Sequence, residues 1–489
     1  MTLLDTVSAE NWQGRVYTGD WTPARTTAPV REPATGAELG SIGIADRADV
    51  GHSAEIAAAA QRDWAARPFQ ERAEILRTAG RLWQEHAAEL REWLIRESGS
   101  IEDKANFELH IAAQECFEAA ALPSRALGQI LPSEAPRLSM TRRIPAGVVG
   151  VIAPFNAPLI LSIRSVAPAL ALGNSVVLKP DPRTAVCGGV ALARIFAEAG
   201  VPEGVLHVLP GGAETGAALV ADPNVRVISY TGSTAAGRAV GEAAGRHLKR
   251  AHLELGGNSA LIVLADADLE HAVTAACRGA YFHQGQICMA TGRHLVHESL
   301  YGEYTERLAE RAAALTVGDP FRGKADLGPI IDAAQRDKIH GIVTASIEAG
   351  ARAVTGAQHE GPYYRPTVLA GATPGIPAYD NEIFGPVAPV APFGSIEEAA
   401  GLAAASEYGL ALGILTPDLD KGLALADRIP TGIAHINDQT INDEAVAPFG
   451  GLGASGTGSR FGGPEANVDA FTETRWITLR GAAAAHQRR

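Results

Sequence analysis

Three side chains in this sequence belong to types that carry covalent chemistry, and each stands where a turn would display it. Cys288 closes GQIC (285–288) after a Gly-Gln turn signal. Glu254 lies in HLELGGN (252–258) between two leucines and ahead of two glycines, and Asn156 ends the apolar run of APFN (153–156). A thiolate is a nucleophile. A carboxylate among apolar neighbours has its pKa raised by desolvation and becomes a general base, and a side-chain amide is a neutral hydrogen-bond donor. Two more segments carry a lysine and a phosphate-type turn at element ends. Lys179 ends the apolar strand of VLKP (177–180), and in TGSTAAG (231–237) Thr231, Gly232 and Ser233 lead into a helix. Each feature has a plain alternative. Asn156 is an ordinary N-cap, Lys179 a solvated strand end, TGSTAAG a simple helix start and Cys288 a small buried hydrophobe. Singly, only Glu254 resists the plain reading, because glutamate is almost never buried unpaired. The five together, in order at strand or turn ends, outweigh any one of them.

The elements that must position them follow from periodicity. Residues 47–65, 70–98 and 104–127 carry apolar residues at three- and four-residue spacing and read as amphipathic helices. Residues 128–145 are turn-rich, with Pro132, Pro136 and Pro145, and read as an excursion from the main body. Strand candidates at 147–154, 174–180, 204–211 and 225–233 then alternate with helices at 156–173, 184–200, 214–221 and 234–246. That order implies a parallel sheet covered by helices, with ligands beyond the carboxyl ends of its strands. A second α/β stretch runs from 259 to about 455, with helices at 268–282, 300–315 and 332–350, and 470–480 alternates as a strand does. The fold class is α/β, with two α/β domains.

Composition bounds the function. The 489 residues exceed the roughly 250–300 at which single cores stop growing. The formal net charge of −13 argues against nucleic acid and against an anionic membrane surface. Cys116, Cys187, Cys277 and Cys288 form no C-x-x-C pair or zinc pattern, so no metal is expected, and free thiols point to the cytoplasm. Residues 1–17 lack a basic-then-apolar run, so no signal peptide is expected, and nothing reads as a membrane span.

Over nearly its whole length the sequence resembles the aldehyde dehydrogenase superfamily. The motifs APFNAPL, VVLKP, TGSTAAG, LELGGNSA, GQIC, NEIFGP (381–386) and PFGGLGASGTG (448–458) occur in the family's order. PALALGNSVVLKPDPRTAVCGG and HINDQTINDE are most similar to the branch that oxidises aromatic aldehydes such as benzaldehyde, vanillin or salicylaldehyde. The resemblance implies that Cys288 attacks the aldehyde, and that Asn156 and the Cys288 backbone N–H receive the oxyanion. It also implies that Glu254 activates the water that hydrolyses the thioester. It implies a dinucleotide held by Lys179, Pro154, Phe155, Gly216, Thr231, Gly232, Ser233, Leu255, Glu382 and Phe384. It further implies a Rossmann-like cofactor domain at 1–127 and 146–255, a catalytic domain at 256–465 and a small β oligomerisation element at 128–145 and 466–489. A homodimer or homotetramer follows.

One departure bears on the cofactor. Relatives that prefer NAD often carry a glutamate three residues after the lysine, and here that residue is Pro182. Nothing there repels a 2′-phosphate and Arg183 would attract one, so NAD is expected with tolerance of NADP. In the substrate pocket, Leu161, Ile287, Met289 and Val446 are the expected apolar walls. Arg164 either meets an aromatic ring or phenolic oxygen or forms a structural ion pair. Alternatives to an aromatic aldehyde dehydrogenase are an enzyme of aliphatic aldehydes or semialdehydes on the same fold, and a non-catalytic binding protein.

Overall fold

A computed structural model describes Leu4, residues 12–125 and residues 127–481. Parts of the expected terminal segments, including most of the stretch read for a leader and residues 482–489 of the tail, lie outside the described residues.

Two seven-stranded sheets organise the chain. In the first, Arg250–Glu254, Val225–Thr231, Val148–Ile152, Ser175–Lys179 and Leu206–Val208 run parallel, and Arg15–Tyr17 and Trp21–Pro23 add an antiparallel edge. The central strands Val148–Ile152 and Ser175–Lys179 are buried throughout, as a sheet covered on both faces requires. In the second, six parallel strands from Thr367–Ala370 to Ile433–Ile436 are centred on Thr291–His297 and Ser259–Val263, and Arg352–Thr355 closes one edge antiparallel. Each sheet packs apolar side chains into a cluster on either face. A third, antiparallel sheet joins the excursion to the tail. Leu138–Pro145 pairs along its whole length with Thr472–Leu479 and also with Ile130–Leu131.

Three helix expectations change. The helix expected at 70–98 is two, Phe69–Glu85 and Ala87–Ser98, divided at His86 by a ψ of 9°. The helix expected at 104–127 is Glu102–Ala121, because Pro123 lacks the N–H that another α-turn needs and Leu122–Ser124 is a 3₁₀ turn. Between 184 and 200 a π turn, Val186–Val190, precedes the α-helix Ala191–Glu198. Its Gly189 packs so closely that a Cβ would meet Val208 at 2.7 Å and Pro180 at 2.8 Å. Among the described residues no helix is long and apolar enough to cross a membrane, and no cluster of potential metal ligands occurs.

Candidate active site

The thiol is delivered by an unusual turn. The helix Leu269–Tyr281 stops, and His283, Gln284 and Gly285 take φ of 50°, 55° and 66° in succession. Left-handed backbone costs about 1 kcal/mol or more for a residue with a Cβ, so something must hold it. Gln284 Nε2 donates to the carbonyls of Gly99 and Pro329 at 3.0 and 2.9 Å, and Gln286 Oε1 accepts from the Ile331 N–H at 3.1 Å. At Gly285 a Cβ would lie 2.2 Å from the Gly385 carbonyl oxygen, so only glycine fits against NEIFGP. Cys288 follows, half-buried. Burial pushes its thiol up to about 12, and the carboxylates of Glu382, Glu254 and Asp443 add to that.

Asn156 reaches the same place from the carboxyl end of Val148–Ile152. Its Nδ2 donates to the Gln286 carbonyl at 2.9 Å, two residues before the thiol. Asn156, Leu161 and Cys288 are shared walls of two cavities.

The first cavity, about 130 Å³, brings together Pro154, Phe155, Thr231, Gly232, Ser233, Leu255, Glu382 and Phe384. Ser233 caps the helix Thr234–Arg246, whose first turn holds no acidic side chain, so its N–H dipoles face the cavity uncompensated. A Cβ at Gly232 would lie 2.4 Å from the Tyr230 hydroxyl, and one at Gly256 would lie 2.5 Å from Glu382 Oε2. The bare backbone at these glycines and the helix N-terminus fit the pyrophosphate of a dinucleotide. Glu382, its pKa raised by burial, accepts from the Gly257 N–H at 3.0 Å. Phe155 and Phe384 stand edge to face at 5.9 Å. Gln335 and Lys338 also line this cavity and were not expected. They sit one helical turn apart in Ala333–Glu348, and Gln335 holds the Phe384 carbonyl at 3.0 Å.

Lys179 and Gly216 sit together, and neither lines this cavity. Lys179 is buried, its Nζ donates to the Gly211 carbonyl at 2.6 Å, and a Cβ at Gly216 would touch its stem at 3.7 Å. Arg183 is not the free cation the sequence suggested. Its guanidinium binds Asp181 and Asp332, at 2.8 and 2.6 Å, and stacks over Phe155 at 4.2 Å. Two carboxylates already neutralise the charge that was to attract a 2′-phosphate.

Glu254 ends the strand Arg250–Glu254 with its carboxylate buried and without a side-chain hydrogen-bond partner, only the Gly451 N–H facing it. Burial raises its pKa well above the usual range, against the opposing charges of Arg460 and Arg164. The carboxylate lies against the loop that carries Gly450, where a Cβ would meet its Oε1 at 2.8 Å. Glu254 lines neither cavity, although Leu255 and Gly256 do. A desolvated carboxylate is a proton acceptor in waiting.

The second cavity, about 50 Å³, contains the expected Leu161, Arg164, Ile287 and Met289. Val446 is a correction. It is 54% exposed and lines neither cavity, because residues 441–449 turn outward there and present Ile441, Asp443 and Phe449 instead. The sequence reading also missed Phe107 and Phe282, which make the cavity aromatic. Phe449 lay in a quoted motif, but Phe107 lies on a helix about 180 residues from the thiol, and no local pattern marks it. Arg164 is buried, with Nε on Glu115 at 3.1 Å and Nη2 on both oxygens of Asp443 at 2.5 and 2.6 Å. Its plane stacks on Phe449 at 4.8 Å, and Nη1 has no partner. The ion pair and the place on the cavity wall are both present.

Comparison with known proteins agrees with this geometry. Residues 21–477 match the model described as the aldehyde dehydrogenase family. A vanillin dehydrogenase of an Amycolatopsis species is 72% identical over 487 residues, covering 99% of this chain and 100% of that protein. A benzaldehyde dehydrogenase [NAD(+)] of Pseudomonas putida is 50% identical, covering 98% of both chains. The solved salicylaldehyde dehydrogenase from Pseudomonas putida G7, complexed with salicylaldehyde, superposes with a TM-score of 0.92 at 33% identity, covering 97% of this chain and 99% of that one. The chain belongs to the aldehyde dehydrogenase family.

Proposed function

We propose that this chain oxidises aromatic aldehydes of the benzaldehyde and vanillin kind to carboxylic acids, using NAD and also accepting NADP. The observation that carries the reading is the position of Cys288 at the junction of a dinucleotide-shaped cleft and a cavity walled by Phe107, Phe282 and Phe449. The names of the similar enzymes support the substrate and the cofactor. Tolerance of NADP rests on Pro182, which carries no charge against a 2′-phosphate, and not on the engaged Arg183.

Pro154, Phe155, Thr231, Gly232, Ser233, Leu255, Glu382 and Phe384 would hold the cofactor, with Lys179 and Gly216 beside them. When bound, the oxidised nicotinamide supplies a hydride acceptor. Cys288 sulfur forms a bond to the aldehyde carbon as its proton passes to solvent water. The carbonyl oxygen becomes an oxyanion, received by Asn156 Nδ2 and the Cys288 N–H. Loss of hydride from the same carbon leaves a thioester on Cys288. Glu254 takes a proton from water, the hydroxide adds to the acyl carbon, and the carbon–sulfur bond breaks to release the acid; the proton held by Glu254 returns to the sulfur, restoring thiol and carboxylate. Arg164 Nη1, unpartnered on the cavity wall, would donate to an oxygen substituent on the ring.

Initial rates of NADH and NADPH formation with benzaldehyde, vanillin, salicylaldehyde and hexanal test the reading. The aromatic aldehydes are expected to be favoured, with Cys288→Ala inactive. Activity confined to hexanal would overturn the substrate, and more than hundredfold rejection of NADP would overturn the tolerance. In the same panel Arg164→Lys, which keeps a charge against Glu115 and Asp443, is expected to lose preference for the hydroxylated aldehydes. An unchanged ratio would remove Arg164 from recognition.

The proposal extends to organisation. The cofactor domain comprises 1–127 and 146–255, the catalytic domain 256–465 and the oligomerisation element 128–145 and 466–489, assembling a homodimer or homotetramer. Exposed Ile130, Trp476 and Leu479 on the third sheet support that last assignment. Four free thiols suit a reducing compartment, and we place the enzyme in the cytoplasm on that ground.

A further inference from the structure

Asn156 is gripped from behind by a buried ion pair that the chemistry above does not use. Lys104 and Glu108 stand one turn apart on the helix Glu102–Ala121, at 2% and 0% exposure. Lys104 Nζ bonds Glu108 Oε1 and donates to the backbone carbonyl of Asn156 at 2.7 Å. Glu108 Oε2 accepts from the Leu159 N–H at 3.0 Å. The helix Pro158–Ala171 begins between these contacts, and its N-cap, Ala157, has no side chain that could cap it. The pair therefore holds the backbone that leaves Asn156, first at the carbonyl of Asn156 itself and then at the first turn of the next helix.

From these contacts we propose that Lys104 and Glu108 are positioning residues for Asn156, setting where its side-chain amide meets the oxyanion; this rests on the reading of Asn156 as oxyanion donor. Stability does not account for the pair. Removing two charges from water costs several kcal/mol per ion, and apolar residues of similar volume usually serve a core as well or better. Apolar residues cannot donate to the Asn156 carbonyl or accept from the Leu159 N–H, and both groups are buried. The same helix repeats the device seven residues on. Glu115 binds Arg164, two turns into Pro158–Ala171. Two charged clamps on one helix thus fix the slide and rotation of the other, and with it the residue at its head. Oxyanion donors act only within tenths of an ångström of their productive position, and a displacement of about 1 Å costs on the order of a hundredfold in rate. Lys104 also forms part of the wall of the cavity beside Cys288, so a shift in its grip moves that wall as well.

The test is a double-mutant cycle on the NADH burst with benzaldehyde. Lys104→Met/Glu108→Gln is compared with the parent enzyme, in the presence and absence of Asn156→Ala, with thermal unfolding and NAD binding measured alongside. In the parent the pair variant is expected to slow the burst by about 10- to 100-fold, with NAD affinity and the KM for benzaldehyde changed less than threefold. In the Asn156→Ala background the same change is expected to slow it less than threefold, because the residue through which the pair acts is gone. An equal slowing in both backgrounds would overturn the proposal, as would less than threefold slowing in the parent. An Asn156→Ala enzyme with an unchanged burst would instead overturn the oxyanion reading and the proposal with it. If the pair variant does not fold, Glu108→Gln alone, which keeps an acceptor for Leu159, enters the same cycle and is read the same way.

Discussion

Burial raises the pKa of both the thiol and the carboxyl of this site, and that shapes the chemistry. Cys288 is pushed up to about 12, so the cofactor-free enzyme presents little thiolate at neutral pH. Inactivation by iodoacetamide is therefore expected to quicken about tenfold per pH unit between pH 7 and 9. A rate that levels off below pH 8.5 would show that the thiol is not raised. Glu254 is also raised, and the proposed mechanism uses it for hydrolysis. Glu254→Gln is expected to keep a burst of NADH equal to the number of sites while steady turnover falls about 10²- to 10⁴-fold. Loss of burst and turnover together would place Glu254 in the first step instead.

At the scale of elements, the helix Glu102–Ala121 organises the site although it carries no family motif. Lys104, Glu108 and Glu115 share one buried stripe against Pro158–Ala171, and Phe107 joins the cavity wall. The preceding helix ends on a related contact, where Glu97 accepts from the N–H groups of Val186 and Cys187 at 2.8 and 2.7 Å. Burial raises Glu97 from 4.5 to about 7, despite those bonds. A carboxyl with a raised folded pKa stabilises fully below its unfolded pKa, and that contribution is lost as pH rises through the folded one. Glu97→Gln does not titrate, so in thermal unfolding it is expected to gain on the parent between about pH 5 and 8, by up to about 3 kcal/mol. A difference independent of pH would show that Glu97 remains ionised throughout.

Across the whole molecule, the site exists only because two sheets meet. The first sheet contributes Asn156 and Glu254 and the second the turn to Cys288. Gln284 and Gln286 join that turn to Gly99, Pro329 and Ile331, while Arg183 spans the cleft to Asp332. The third sheet lies apart from the chemistry. Thr472–Leu479 is its edge strand, with Trp476 62% and Leu479 53% exposed. An exposed apolar edge invites pairing with another chain. If the proposed oligomer forms through this edge, Trp476→Glu is expected to shift it towards monomer in size-exclusion chromatography with light scattering. An unchanged mass would move the interface elsewhere.

The sequence by itself determined the α/β class and four of the parallel strands of the first sheet, and through its family motifs it pointed to the candidate residues of the thiol chemistry. Strand and helix periods are local, and although only Glu254 stands out singly, Cys288, Glu254 and Asn156 lie in short motifs whose joint order is readable along the chain. Tertiary structure alone decided which distant side chains complete the site. Phe107, Phe449 and Asp443 close one cavity, and Gln335 and Lys338 line the other. It also engaged Arg183 with Asp181 and Asp332 and turned Val446 to the surface. The stripe of Lys104, Glu108 and Glu115 was present in the letters, but charged residues at helical spacing ordinarily face water. Whether such a face is solvated or buried depends on what packs against it, and here that is the helix Pro158–Ala171, brought there by the sheet rather than by its own sequence.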